Sequence, residues 1–193
     1  MIHLEYINEQ LSLGMLDLQG FKADNVLDEK REIERKGTQF LLKKMLNTAA
    51  FELVYNELKR PLLKGRSEHI SISHSHQWLA ISIHQTNETG VDLELIREKV
   101  INIKHKFLCE QEFEFAQTDI DKLTLLWCAK EAIYKMYGKK ELEFKRIKID
   151  NFELKDRGEL VGAIHFEDQI RTYKLMYRKF DPYFLALVLH EIR

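Results

Sequence analysis

Thr-Gly-Val-Asp-Leu-Glu (89–94) and Leu-Trp-Cys-Ala-Lys-Glu-Ala-Ile-Tyr-Lys (126–135) are the stretches whose reading decides this chain. In the first, apolar and acidic residues alternate with the period of a strand, so Asp92 and Glu94 fall on one face. In the second, helical spacing sets Trp127, Glu131 and Lys135 on one stripe. Three carboxylates from two elements, with a lysine one turn beyond the third, suit a hard divalent cation such as Mg2+ holding a phosphate. Taken singly, each piece also reads as ordinary surface: the solvent face of an edge strand, and an i,i+4 ion pair on a helix.

Upstream, Ile-Ser-Ile-Ser-His-Ser (70–75) is another alternating strand, ending in hydroxyls and an imidazole that can bond phosphate oxygens. Lys59, Arg60, Lys64 and Arg66 precede it as an anion-binding rim. Around these segments the pattern predicts a strand over residues 1–7, then helix from about Asp28 to Leu58 with a break near Asn47–Thr48. A loop follows over Lys59–Glu68, then strands at His69–Ser73, Trp78–His84 and Val91–Ile96 around a polar turn at Gln85–Thr89. Lys104–Tyr137 reads as two helices broken near Gln117–Asp121. A strand meander closes the chain near Ile147–Leu154, Leu160–Phe166, Arg171–Tyr177 and Tyr183–His190, with turns at Asp156-Arg157-Gly158 and Asp181-Pro182.

The order strand, helices, strands occurs twice, and the closing strands Gln-Trp-Leu-Ala-Ile-Ser-Ile and Tyr-Phe-Leu-Ala-Leu-Val-Leu are alike in character. Segregated helices and meandering strands give an α+β class. The expected organisation is two similar α+β halves, residues 1–88 and 89–193, the second carrying the metal site.

Composition excludes several functions. With 193 residues and a net charge of −1, the chain has no basic surplus of the kind a nucleic-acid partner requires. No apolar run approaches the length of a membrane span, and no basic segment followed by an apolar stretch marks a signal peptide. The two cysteines, Cys109 and Cys128, form no disulfide framework, so a reducing cytoplasm is the expected compartment. His69, His74, His76 and His84 raise zinc as an alternative, but no acidic or cysteine ligand at zinc spacing accompanies them.

The three polar clusters together resemble the 4′-phosphopantetheinyl transferases of the Sfp type. That superfamily's pattern runs Ser-His-Ser at a strand end, then Gly-(Val/Ile)-Asp-x-Glu, then Trp-(Ser/Cys/Thr)-x-Lys-Glu-(Ala/Ser)-x-x-Lys. Here the same order holds as Ser73-His74-Ser75, Gly90-Val91-Asp92-Leu93-Glu94, and Trp127 through Lys135. Lys106 to Phe113 resembles the family's Arg-Phe-Phe-x-x-x-Glu stretch, with its glutamate at Glu112. Gly138-Lys139-Lys140 resembles the Gly-Lys-Gly after the helix, and Lys59-Arg60-Pro61 the Gly-Lys-Pro loop beside the adenine. The chain departs from the family in lacking the glycine before that loop and in carrying Arg60 for lysine. His76 stands where a small residue is common, and the early helical arginine has three candidates: Arg31, Arg35 and Lys36.

The resemblance implies a pseudo-dimeric fold packed around one active site. It implies transfer of phosphopantetheine from coenzyme A to a serine of an apo acyl, peptidyl or polyketide carrier protein, with release of 3′,5′-ADP, the reaction of a holo-[acyl-carrier-protein] synthase. On that reading Asp92, Glu94 and Glu131 hold Mg2+, and Glu131, or a metal-bound water it orients, is the base, with Glu112 the second candidate. Lys135 stabilises the transferred phosphate. His74, with Ser73 or Ser75, contacts the 3′-phosphate, while Arg60 and Lys130 add cofactor contacts. Trp127 orients the helix. The length matches the two-half monomer of the Sfp type rather than the short trimeric synthases. A module that binds coenzyme A or a carrier protein without transferring is the competing class.

Overall fold

The computed structural model describes residues 1–23, 30–139 and 142–192; Asp28, where helix was expected to begin, and Lys140 lie outside them. Among the described residues the chain is α+β, as its pattern predicts, and it divides into two compact units, Met1–Thr89 and Gly90–Arg193. Among the described residues no helix is long and apolar enough to cross a membrane.

The first unit contains strands β1 (Ile2–Tyr6) and β2 (Leu11–Asp17), then helices α1 (Leu18–Ala23) and α2 (Lys30–Met45). A short hairpin follows, β3 (Leu53–Tyr55) and β4 (Pro61–Leu63), and then a longer one, β5 (His69–Ser75) and β6 (Trp78–His84). The main sheet is antiparallel in the order β1-β2-β6-β5. Helix α2 lays Ile33, Leu41 and Leu42 against Leu16, Ile70, Leu79, Ile81 and Ile83 of this sheet. Gly37 lets α2 come close: a Cβ there would sit 2.6 Å from Leu18 Cδ2 and 3.3 Å from Leu16 Cδ2.

Two expectations fail in this unit. Strand β2 is unexpected from the residue pattern, because Leu-Ser-Leu-Gly-Met-Leu-Asp is buried on both faces and lacks a clean alternation. The helix expected through Leu58 ends at Met45, and the loop expected over Lys59–Glu68 contains β4. Asn47, in the left-handed conformation at φ 50°, follows the helix end at the break expected near Asn47–Thr48, and Asn56 Oδ1 accepts the N–H groups of Leu58 and Arg60 at 3.0 and 2.9 Å, a side-chain turn that joins β3 to β4.

The second unit opens with β7 (Val91–Leu95) and three helices, α3 (Lys99–Phe107), α4 (Glu110–Ala116) and α5 (Ile120–Tyr137). After a 3₁₀ turn at Phe144–Arg146 come β8 (Ile147–Ile149), β9 (Arg157–His165), β10 (Ile170–Phe180) and β11 (Tyr183–Ile192), paired antiparallel in the order β7-β11-β10-β9-β8. The break expected near Gln117–Asp121 is present. Helix α3 begins before Lys104, and a further break divides α3 from α4, where Leu108 and Cys109 are extended. Asp119 caps α5 by accepting Lys122 N–H at 3.1 Å, and Gly138 ends it in the left-handed conformation at φ 66°. Cys128 is buried in the core, among Ala129, Ala132 and Phe184.

The two units share a plan. In each, a hairpin's last strand inserts between its partner and an earlier strand, β6 between β5 and β2, and β11 between β10 and β7. In each, a helix that follows the earlier strand packs on that sheet.

Candidate active site

The acidic site is built where β7 meets α5, and Gly90 makes the meeting possible. A Cβ at position 90 would overlap the carbonyl oxygen of Ala132 and stand 2.8 Å from Met136 Cβ. Only glycine allows the two backbones so near. Two residues on, Asp92 pairs across the ladder with Ala186 and Glu94 with Phe184, which places both carboxylates on the face that α5 covers.

There Lys135 Nζ lies 2.6 Å from Asp92 Oδ1, an ion pair in which Asp92 is buried and Lys135 partly so. Trp127 Nε1 donates to Glu94 Oε1 at 2.9 Å. Burial pushes Glu94 up to about 7, and the neighbouring Asp92 charge adds to the rise. Burial and then Asp92 likewise raise Glu131 to about 7. At Lys135 burial disfavours the charged ammonium, but Asp92 and Glu131 act against it and the group ends above its ordinary value.

The donor set is three hard carboxylates, and the Asp92 charge raises both Glu94 and Glu131, the character a divalent cation relieves. In chemistry it therefore fits Mg2+. Among the described residues, no three His, Cys, Asp or Glu side chains are drawn into a closed ligand set, and Asp92 is turned to Lys135 instead.

Glu112 and Lys130, expected at the reacting phosphate and the cofactor, are buried together. Both side chains are 0–1% exposed and they pair with each other at 2.6 Å inside the second unit.

In the first unit, strand alternation separates the Ser-His-Ser residues. His74 is exposed on the α2 side, where its Nε2 stands 3.3 Å from Thr38 Oγ1. Ser73 and Ser75 fall on the opposite face and are buried. His76 occupies the hairpin turn with φ 52°, so it does not share a strand face with His74. Arg60 forms an ion pair with Glu88, which also lies 3.2 Å from His69 Nδ1. Of the helical candidates, Arg35 is bonded to Glu32 on α2 through both Nε and Nη2, at 2.9 and 2.6 Å.

Residues 88–188, just over half of the chain, match the family model of the 4′-phosphopantetheinyl transferase superfamily. The chain belongs to that superfamily. No curated protein matches it at a significant level.

Among the residues singled out from the superfamily's motifs, the structure brings together Asp92, Glu94, Glu131 and Lys135, with Trp127 attached to Glu94. Sequence reasoning missed Thr38 and Glu88. Thr38, 3% exposed and hydroxyl-bearing in the middle of a helix, follows Gly37, and two weak helix formers on a buried stripe are a local signal. Glu88 carries none, since it reads as one more residue of a polar turn.

Proposed function

We propose that this protein is an Sfp-type phosphopantetheinyl transferase that moves phosphopantetheine from coenzyme A to a serine of an apo carrier protein. The observation that carries the reading is the Lys135–Asp92 ion pair beside Glu94 and Glu131, in a chain of this superfamily. Asp92, Glu94 and Glu131 would hold Mg2+, which when bound supplies Lewis-acid neutralisation of the pyrophosphate.

In the reaction the carrier serine oxygen forms a bond to the phosphorus next to the pantetheine. The bond from that phosphorus to the bridging oxygen breaks, and 3′,5′-ADP leaves with the electron pair. Glu131 takes the serine proton, and Lys135 offsets the charge that gathers on the leaving oxygen. Binding the nucleotide portion falls to His74, steadied by Thr38, together with Arg60. Placement inside cells, in the cytoplasm and as a monomer, belongs to the same reading.

The test is a mass measurement on a panel of apo acyl, peptidyl and polyketide carriers incubated with coenzyme A and Mg2+. The expected result is a phosphopantetheine adduct on at least one carrier, lost with Asp92→Ala and with Glu131→Ala while both variants stay folded. Coenzyme A binding without any adduct across the panel would leave a binding module in its place.

A further inference from the structure

The buried Lys130–Glu112 pair leaves no ammonium proton spare for a ligand. Lys130 Nζ donates to Phe107 O at 2.6 Å, to Glu112 Oε2 at 2.6 Å and to Phe144 O at 3.3 Å, which uses all three ammonium protons. Glu112 accepts Cys109 N–H at Oε2 and Ile149 N–H at Oε1, each at 2.9 Å. The pair thus ties the end of α3, the start of α4, the 3₁₀ turn and β8 to the middle of α5. A buried ion pair adds little net stability over an apolar pair of similar volume, because desolvation offsets the attraction. What it supplies here is fixed geometry.

That geometry leads to the acidic site. The Phe144 ring stacks on Trp127 and on Tyr134, with centroids 5.0 Å apart and planes within 24° and 20°. Trp127 in turn donates to Glu94. We propose that Lys130 and Glu112 are positioning residues: they anchor the Phe144 turn, Phe144 clamps Trp127, and Trp127 sets Glu94. The connection is a continuous series of hydrogen bonds and ring contacts. The inference rests on the reading of Glu94 as part of the active site.

Its test uses the fluorescence of Trp127 in a Trp78→Phe background, where it is the sole tryptophan. Lys130→Met and Glu112→Gln are each expected to red-shift Trp127 emission and to increase its quenching by acrylamide. In carrier modification both should lower kcat by about 10- to 100-fold while leaving the KM for coenzyme A within about twofold. The double variant should be no slower than the worse single one, because the two act as a unit. If a single variant fails to fold, Lys130→Met combined with Glu112→Leu, an apolar pair with no buried charge, carries the same spectral and kinetic comparison. Unchanged Trp127 emission in folded variants would overturn the proposal. So would a raised KM for coenzyme A at unchanged kcat, which would make Lys130 a direct contact. If the wild type modifies no carrier, the transferase reading falls, and the fluorescence comparison still decides the positioning role.

Discussion

Lys135 Nζ sits 2.6 Å from Asp92 Oδ1, so the cation paired with Asp92 is supplied by the helix and received by the strand. Glu94 and Glu131, both raised to about 7, share that neighbourhood. Replacing Lys135 with methionine leaves three carboxylates facing one another across β7 and α5. Because Lys135 is partly exposed, the expected loss is about 1–3 kcal/mol, below the range for a fully buried pair. Thermal unfolding with and without MgCl2 checks this: the variant should melt lower than wild type and gain more from Mg2+. Equal melting temperatures without metal would show that the pair contributes nothing.

Gly90→Ala tests the close approach of β7 and α5. The added methyl meets the backbone carbonyl of Ala132, which has no rotamer in which to yield. Overpacking of this kind costs about 1–3 kcal/mol. A lowered urea midpoint, together with reduced carrier modification because Asp92 and Lys135 are pushed apart, is the expected outcome.

Tyr173 is 1% exposed and its hydroxyl is buried with no hydrogen-bond partner among the described residues; burial pushes its pKa up to about 12. Removing an unsatisfied buried hydroxyl recovers about 1 kcal/mol or more. Tyr173→Phe should therefore raise the urea midpoint at unchanged slope. A lower midpoint would mean that the hydroxyl has a partner in solution.

His84 gives the first unit a pH dependence. Its Nδ1 accepts N–H groups from Thr86 and Asn87 at 3.2 and 3.0 Å, which requires that nitrogen to be unprotonated. Burial, and then the cross-strand neighbour His69, hold its pKa below the ordinary 6.5, and Arg60 and Glu88 are the charges beside that neighbour. A histidine with a lowered folded value adds stability that is fully present above 6.5 and is lost as pH falls through the folded value. Urea unfolding should show the wild type weaker at pH 5.5 than at 7.5. His84→Asn, which keeps an acceptor for the same turn, should flatten the difference.

The sequence by itself determined the α+β class, the strand Val91–Leu95 and the helix that carries Glu131, because period 2 and period 3.6 are written in residue order. The same spacing put Asp92 with Glu94, and Glu131 with Lys135. It could not set one pair against the other, since that depends on a backbone contact at Gly90 between residues more than 40 positions apart. Strand β2 was illegible because burial on both faces erases alternation, and the β3–β4 hairpin because Asn56 redirects its own backbone locally. Strand period already sets His74 opposite Ser73 and Ser75; only the tertiary structure decided that the His74 face is the one toward α2, and that Lys130 and Glu112 satisfy one another in the core. The physical reason is the same in each case. A residue's type states which bonds it can make, and the packing of distant segments decides which partner reaches it first.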